Sequence, residues 1–295
     1  MLNIKDIEQK LKKYPEPKEV KEIREHITKT FSDLDFFEVG HKYIWHSKNG
    51  DIQLPSVSGV THAFVPPTDW EEVKRRKAAK LGVPVEQLTR EWEETNVRGT
   101  NNGTSAHLFG ENYMYFVMGQ TKFDPIIAPQ YEKGYLIPYA AKENAVEAFY
   151  CDLMKLYDND NGNIIYPVMA EAKLHTGVNA EYDLGANNYA GTTDMVFAHR
   201  DKSGKFKLLI YDFKTNKELT NDYARSVGQN LTGEFSDMYN ESLSLYTLQL
   251  SAYSLCLMQL GYEIADRKLI WLKDDGTYEK HSVPDVTDRL LKVWR

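Results

Sequence analysis

The sequence of 295 residues predicts a folded α/β protein, because segments with helical periodicity alternate with segments that have strand-like alternation. Hydrophobic residues make up 42% of the chain and aromatic residues 12%, which is enough to build a sizeable core. A chain of this length can form one large domain with insertions or two small domains.

The charge and cysteine content exclude several classes of protein. The net charge of −7 argues against general, charge-driven nucleic-acid binding, although a local basic surface is compatible with it. The two cysteines, Cys151 and Cys256, are too few for a disulfide framework or a cysteine-rich metal site, which suits a reducing compartment. The first residues lack the apolar core of a signal peptide, and no stretch approaches the roughly 20 apolar residues of a membrane span. We therefore expect a cytoplasmic protein that makes no contact with a membrane.

The N-terminal 40 residues are predicted to form a helical arm. Apolar residues recur at helical spacing on both sides of Pro15 and Pro17, which separate two short helices. The segments 42–46 and 51–54 flank an Asn-Gly pair, which is typical of a hairpin turn. A short helix is predicted over 56–64.

The next part of the chain is predicted to be strongly helical. Asp69 is a candidate N-cap for a helix over 70–80, and further helices are predicted at about 85–97 and 103–118. An irregular segment is expected over 119–137, followed by a helix over 139–156. The helix at 70–80 carries the densest positive patch in the chain, which consists of Lys74, Arg75, Arg76, Lys77 and Lys80. Such a patch is ordinarily a solvated helix face.

The C-terminal half mixes strands with two helices. The pattern predicts a strand over 164–175, a polar excursion over 218–238, an apolar helix over 242–260, a hairpin of 268–272 with 278–282, and a final helix over 285–294.

The most informative stretch runs from residue 189 to 217. Two apolar runs flank the turn signal at 201–204, with Asp194 inside the first run and Asp212 near the end of the second. Side chains alternate along a strand, so Asp212 and Lys214 share a face at a backbone separation of roughly 6 to 7 Å. Two acids and a lysine on paired strands could be a salt-bridged hairpin. They could also form a site for Mg²⁺ or Mn²⁺, which prefer oxygen ligands.

Other polar residues occur in patterns that fit such a site. His107 ends the sequence Gly103-Thr-Ser-Ala-His107 near the predicted start of a helix, and Glu171 lies on a predicted strand. Gln249 and Tyr253 are four residues apart on an otherwise apolar helix, so they share one face and need partners. Simpler interpretations are a hydrogen-bonded core histidine, a pair between Glu171 and Lys173, and a tyrosine that only packs in the core.

The ordered set of these elements resembles the PD-(D/E)XK nuclease superfamily, in particular its RecB-like branch, which includes phage-type exonucleases. The resemblance covers roughly residues 40–275. It implies a single domain over 1–295 with a restriction-endonuclease-like core, in which helices flank a central mixed β-sheet. The helical arm over 1–40 would form its N-terminal portion.

The resemblance also implies roles for individual residues. The implied metal ligands are His107, Asp194, Asp212 and the backbone carbonyl of Phe213, with Glu171 as a further ligand or a water-orienting acid. Lys214 would position or activate the attacking water and stabilise charge on the phosphate. Gln249 and Tyr253 would brace the site or touch DNA. A candidate DNA track is formed by Lys74, Arg75, Arg76 and Lys80.

The implied activity is Mg²⁺- or Mn²⁺-dependent hydrolysis of DNA by a phage-type exonuclease in recombination, repair or replication. The implied partners are DNA and a recombination or replication protein, and a phage-encoded chain would act in the host cytoplasm. Some members of the superfamily bind an iron–sulfur cluster through four cysteines, so a chain with two cysteines is expected to lack it. The alternatives are a structure-specific endonuclease on the same fold and a non-catalytic DNA-binding or scaffold protein.

Overall fold

The computed structural model describes residues 4–120, 140–155 and 165–295. The helices are α1 (Ile4–Lys13), α2 (Lys18–Thr30), α3 (Val57–His62), α4 (Trp70–Leu81), α5 (Val85–Val117), α6 (Ala140–Lys155), α7 (Asp222–Val227), α8 (Ser242–Met258) and α9 (Thr287–Trp294). The strands are β1 (Leu34–Phe37), β2 (Lys42–Ser47), β3 (Gly50–Leu54), β4 (Ile165–His175), β5 (Ala190–Arg200), β6 (Phe206–Lys214), β7 (Ile264–Leu272) and β8 (Tyr278–Ser282). The irregular segment predicted over 119–137 lies outside these residues apart from its first two positions.

The strands form two sheets. The smaller is antiparallel with the order β1-β2-β3, and the larger has the order β4-β5-β6-β7-β8. Strands β6 and β7 are parallel while the other neighbours in the larger sheet are antiparallel, so this sheet is mixed. The prediction of an α/β fold with a mixed sheet flanked by helices is therefore confirmed.

Apolar side chains cover both faces of the five-stranded sheet. Val196 of β5 points into a cluster with α2, α8 and α9, whereas its neighbours Met195 and Phe197 point into a cluster with α5 and α6. A strand that is buried on both faces reads as a continuous apolar run rather than an alternating one, as β5 does over 195–198. An acidic residue on such a strand is costly to bury unless its neighbours compensate for its charge.

The two N-terminal helices are separated at the prolines as predicted, and α1 packs against α6. Ile7 of α1 joins the cluster beneath α5 and α6, while α2 packs beside β4. Arg24 of α2 donates to the carbonyl oxygen of Val168 at 2.6 Å, where β4 has a bulge, and it also pairs with Glu16. These contacts cover the outer edge of β4, which would otherwise present unpaired backbone groups.

The two helices expected at about 85–97 and 103–118 are in fact one continuous helix, α5, of 33 residues. Gly99 and Gly103 lie within it, and the expectation of a break at this point was wrong. A glycine costs a helix only about 1 kcal/mol relative to alanine, and proline is absent from this stretch. Packing of the first half against α4 and of the second half against α6 outweighs that cost.

Strand β1 was not predicted from the sequence. It has only four residues, and its pairing with β2 joins Leu34 to Trp45 and Phe37 to Lys42. Among the described residues, no helix is both long enough and apolar enough to cross a membrane.

Candidate active site

Three carboxylates form a row across the neighbouring strands β4, β5 and β6. The register of β4 and β5 places Glu171 opposite Asp194. The β5–β6 ladder ends at the pair Met195–Tyr211, and the next opposing positions are Asp194 and Asp212. The two strands diverge there, and the Asp194 carboxylate accepts a hydrogen bond of 2.7 Å from the backbone N–H of Phe213. The end of a strand ladder therefore brings the acids together and opens space beside them.

Glu171 has an unusual backbone conformation. Its φ of 45° lies in the left-handed region, which non-glycine residues rarely adopt. Conformations of this kind cost on the order of 1–3 kcal/mol and concentrate at functional sites. The neighbouring pairs of β4 and β5 stay in register, so the distortion is confined to the residue that faces Asp194.

His107 reaches the row of acids from α5. Its Nδ1 lies 3.0 Å from Oδ1 of Asp194, so this carboxylate contacts both the imidazole and the backbone of β6. The helix can approach closely because Gly110 packs on the ring of Phe213, where a Cβ atom would come within 2.5 Å of Cε2. His107 was expected near the start of a helix. It actually lies well inside the 33-residue helix α5, so that a rigid element on both sides fixes its position.

Lys214 occupies the opposite end of the site. Its ammonium group forms an ion pair with Oδ2 of Asp212, and it lies 4.4 Å from the centre of the Tyr246 ring. The two side chains share a face of β6, as the strand alternation predicts. Only 12% of the Lys214 side chain and 3% of the Asp212 side chain are exposed, so water screens this pair weakly.

Gln249 and Tyr253 share one face of α8, as predicted. The Gln249 amide donates to the Tyr253 hydroxyl at 3.1 Å, and both side chains line the cavity that holds the acids. Gly191 permits this arrangement, because a Cβ atom there would come within 2.7 Å of the Tyr253 ring. Their roles in bracing the site or touching DNA stay predictions.

The cavity has a volume of about 610 Å³ and joins the five-stranded sheet to the smaller sheet. Sequence reasoning missed several of its lining residues, which are Phe36, Glu38, His41, Tyr43, Glu111, Tyr115 and Thr192. A signal was present for two of them, since His107, Glu111 and Tyr115 are spaced by four and therefore lie on one helix face. The residues of the smaller sheet had no such signal, because only the tertiary fold brings them to the site.

The charges in the cavity shift one another's ionisation. Burial and then the charge of Asp194 raise the pKa of Glu171 to about 8. Burial lowers the pKa of His107, but Asp194 outweighs it and raises that pKa to about 9. Burial would raise the pKa of Asp194, yet its contact with His107 lowers it, whereas burial and the nearby Asp194 charge raise the pKa of Asp212. The pKa of Lys214 is raised because Asp212 and Asp194 outweigh its burial.

The donor atoms fit a divalent cation. His107, Glu171 and Asp194 each offer one ligand atom, and these three atoms lie within 4.8 Å of one another. The carboxylate oxygens suit Mg²⁺ or Mn²⁺. Asp212 lines the same cavity on the Lys214 side, outside this triad. The proposed ligand role of the Phe213 carbonyl stays a prediction, whereas its N–H is the group that contacts Asp194.

Rising pH is expected to destabilise the protein when metal is withheld. The folded state keeps a proton on Glu171 from its ordinary pKa of 4.5 up to about 8, and on His107 from 6.5 up to about 9. The unfolded state has released these protons, so the free energy of unfolding falls with pH by about 1.4 kcal/mol per pH unit for each proton. Thermal melts in EDTA between pH 6.5 and 9 should show a falling Tm. The double variant Glu171→Gln/His107→Gln should flatten this dependence, and a flat wild-type profile would contradict the prediction.

The candidate DNA track lies on α4, away from the residues that line the cavity. Lys74 pairs with Glu71, while Arg75 and Arg76 both pair with Glu72. Lys80 is exposed in the last turn of the helix. These are ordinary surface ion pairs, which contribute little to stability and are easily exchanged for a phosphate contact.

If the track touches DNA, the double variant Arg75→Gln/Arg76→Gln should weaken binding at low salt. The log–log salt dependence of DNA affinity should become flatter by roughly 0.7 to 0.9 for each lost phosphate contact. The matched control removes Lys18 and Lys21 of α2, which also pair with glutamates on an exposed helix face. Equal slopes for wild type, control and track variant would mean that α4 is only solvated.

A scan against protein-family models and a search of curated proteins both found no match to this chain.

Proposed function

We propose that the protein is a divalent-metal-dependent DNA nuclease with a restriction-endonuclease-like core, and that it acts as a phage-type exonuclease in recombination, repair or replication. The observation that carries this proposal is the convergence of Glu171, Asp194, Asp212, His107 and Lys214 in one open cavity. They come from α5 and three strands, so the fold itself assembles the set.

The charge balance favours cation binding over a structural ion-pair cluster. Asp194 pairs with His107 and Asp212 pairs with Lys214, whereas Glu171 forms no ion pair among the described residues and has a pKa raised to about 8. A cluster that only stabilised the fold has no need of such an unpaired acid, since ionising it costs stability until a cation compensates its charge. The strained backbone of Glu171 also favours cation binding, because it holds this carboxyl group beside Asp194, where the two acids repel each other unless a cation lies between them.

The residues of the chain can supply the remaining steps of phosphodiester hydrolysis. A bound Mg²⁺ or Mn²⁺ would polarise the phosphate and lower the pKa of water. Lys214, held by Asp212 and Tyr246, can donate to a phosphate oxygen as charge develops. Without a cation the pKa of Glu171 is raised to about 8, and a bound cation would favour the loss of this proton, so that the carboxylate could act as a ligand or orient the attacking water. His107 and Asp194 would hold the cation together with Glu171, with His107 giving up the proton that it keeps in the metal-free protein, and the backbone N–H of Phe213 fixes the other oxygen of Asp194.

The proposal is tested by incubating the protein with end-labelled linear, circular and single-stranded DNA in Mg²⁺, in Mn²⁺ and in EDTA. An exonuclease degrades linear DNA progressively from an end and leaves circular DNA intact. Cleavage of circular DNA would favour the structure-specific endonuclease instead. Binding without any metal-dependent cleavage would identify a non-catalytic DNA-binding or scaffold protein.

We propose that the partners of this protein are DNA and a recombination or replication protein. We also propose that it acts in the cytoplasm, which is that of the infected host if the chain is phage-encoded. The net charge of −7 disfavours general, charge-driven binding of DNA, so the proposal implies that DNA reaches the cavity through local contacts.

A further inference from the structure

The smaller sheet contributes an aromatic wall to the same cavity that holds the acids. The wall consists of Phe36 on β1, His41 in the β1–β2 turn and Tyr43 on β2, and all three side chains line the cavity. We infer that this aromatic wall binds an unpaired nucleobase of the DNA strand whose phosphate lies at the acidic row. The inference rests on the proposed function and adds the feature of the substrate that the cavity recognises.

The geometry of the wall leaves aromatic surface available. The Phe36 and Tyr43 rings lie 4.7 Å apart with a tilt of 33°, and the His41 ring stands edge-on to Phe36 at 5.0 Å. Tyr43 is buried, Phe36 is half-buried and His41 is exposed. The wall is therefore buried at Tyr43 and open to solvent at His41, which is the form of a platform on which a nucleobase can stack.

The wall is attached rigidly to the active site. The Tyr43 hydroxyl lies 3.1 Å from Oγ1 of Thr192, and Thr192 lies on β5 two residues before Asp194. The turn is also fixed, because the His41 N–H donates to the Glu38 carbonyl at 3.1 Å across Gly40, whose φ is 83°. His41 itself has a φ of 49°, which is strained for a residue with a side chain. This strained backbone conformation of His41 places its imidazole in the lining of the cavity.

The chemistry of the wall suits a base rather than a phosphate. Its charged neighbour in the cavity lining is Glu38, and a carboxylate repels phosphate but accepts hydrogen bonds from the exocyclic amino groups of bases. The lysines that line the cavity, Lys214 and Lys173, lie on β6 and β4. A DNA strand could therefore place its phosphate against the five-stranded sheet and turn one nucleobase toward the smaller sheet.

A base inside a duplex is stacked on both faces, so only an unpaired base can occupy such a wall. We therefore expect tighter binding of single-stranded DNA or frayed ends than of fully paired ends. Removing one base-stacking aromatic commonly weakens single-strand binding, and for this wall we expect about a tenfold to a hundredfold rise in Kd.

The test measures anisotropy of a labelled single-stranded oligonucleotide, with Ca²⁺ in place of Mg²⁺ so that binding is separated from turnover. A series of oligonucleotides, each lacking one base, locates the position at which base loss weakens wild-type binding. Phe36→Leu retains apolar packing without an aromatic face, and His41→Gly removes the imidazole at a backbone φ that glycine adopts freely. Both variants should bind more weakly and lose sensitivity to base removal at that position.

The matched control is Phe37→Ala. Phe37 follows Phe36 on β1, is 51% exposed and does not line the cavity, so its loss should leave affinity and the base-removal profile unchanged. Thermal melts establish that each variant is folded. If wild-type protein cleaves DNA while Phe36→Leu and His41→Gly keep the wild-type base-removal profile, the wall does not hold a base and this inference is overturned alone. If wild-type protein neither binds nor cleaves any DNA, the proposed function fails as well.

Discussion

Replacing Lys214 with alanine is expected to slow DNA cleavage at least about a hundredfold, while Mn²⁺ binding and DNA binding stay close to wild type. The ammonium group is buried between Asp212 and Tyr246, at the edge of the cavity where a phosphate would meet the acids. A group that acts mainly on charge developing in the transition state affects the rate more than substrate affinity. Single-turnover cleavage at saturating enzyme measures this rate directly.

The matched control for this variant is Lys173→Ala. Lys173 lines the same cavity but is exposed on β4, so its removal takes away the same charge without touching Asp212. We expect it to change DNA affinity and to leave the single-turnover rate within a few-fold of wild type. Lys214→Arg should restore little activity, because the guanidinium is bulkier and stays protonated. A Lys214→Ala rate within a few-fold of wild type would mean that the Asp212–Lys214 pair is structural.

Replacing Asp194 with asparagine is expected to reduce cleavage below about 1% of the wild-type rate and to weaken Mn²⁺ binding. Asparagine keeps the shape of the side chain, and its carbonyl can still accept from the Phe213 N–H. It removes the negative charge that pairs with His107, so the pKa of His107 should fall from about 9. Calorimetric Mn²⁺ titration, NMR titration of His107 and cleavage assays report these three effects separately. Asp212→Asn should abolish cleavage in the same way.

The control for Asp194→Asn is Asp288→Asn, which removes one charge from the exposed face of α9. It should bind Mn²⁺ and cleave DNA as wild type does. Retained cleavage in Asp194→Asn would remove the proposed site, because this carboxylate links the histidine, the triad of donor atoms and the backbone of β6.

Local sequence rules predicted the parts of the site that lie on one element. Strand alternation is enough to place Asp212 beside Lys214, and helical spacing is enough to place Gln249 beside Tyr253. The apolar runs around a polar turn predict the β5–β6 hairpin, since each strand has several residues that need burial. These relations follow from the regular geometry of one strand or one helix, so the spacing of the residues in the sequence is enough to predict them.

Relations between distant elements could not be predicted in this way. The position of Glu171 opposite Asp194 depends on the register of β4, and the bulge near Val168 shifts that register by one residue. The aromatic wall depends on β1, whose four residues form a strand only because β2 pairs with them. Helix α5 is continuous because its packing against α4 and α6 outweighs the low helix propensity of Gly99 and Gly103.

The continuity of α5 has a consequence for how the chain can change in length. The helix spans about 50 Å, and it is anchored in the interior by Leu88 near one end and by Ala106 beside His107. Inserting a single residue between these anchors would rotate one relative to the other by about 100°, so either Leu88 would leave its pocket or the imidazole would turn away from Asp194. The β5–β6 turn has no such constraint and can absorb extra residues. Among homologous chains that keep His107, the stretch 89–100, whose residues are exposed or half-buried, should therefore tolerate substitutions but not insertions or deletions.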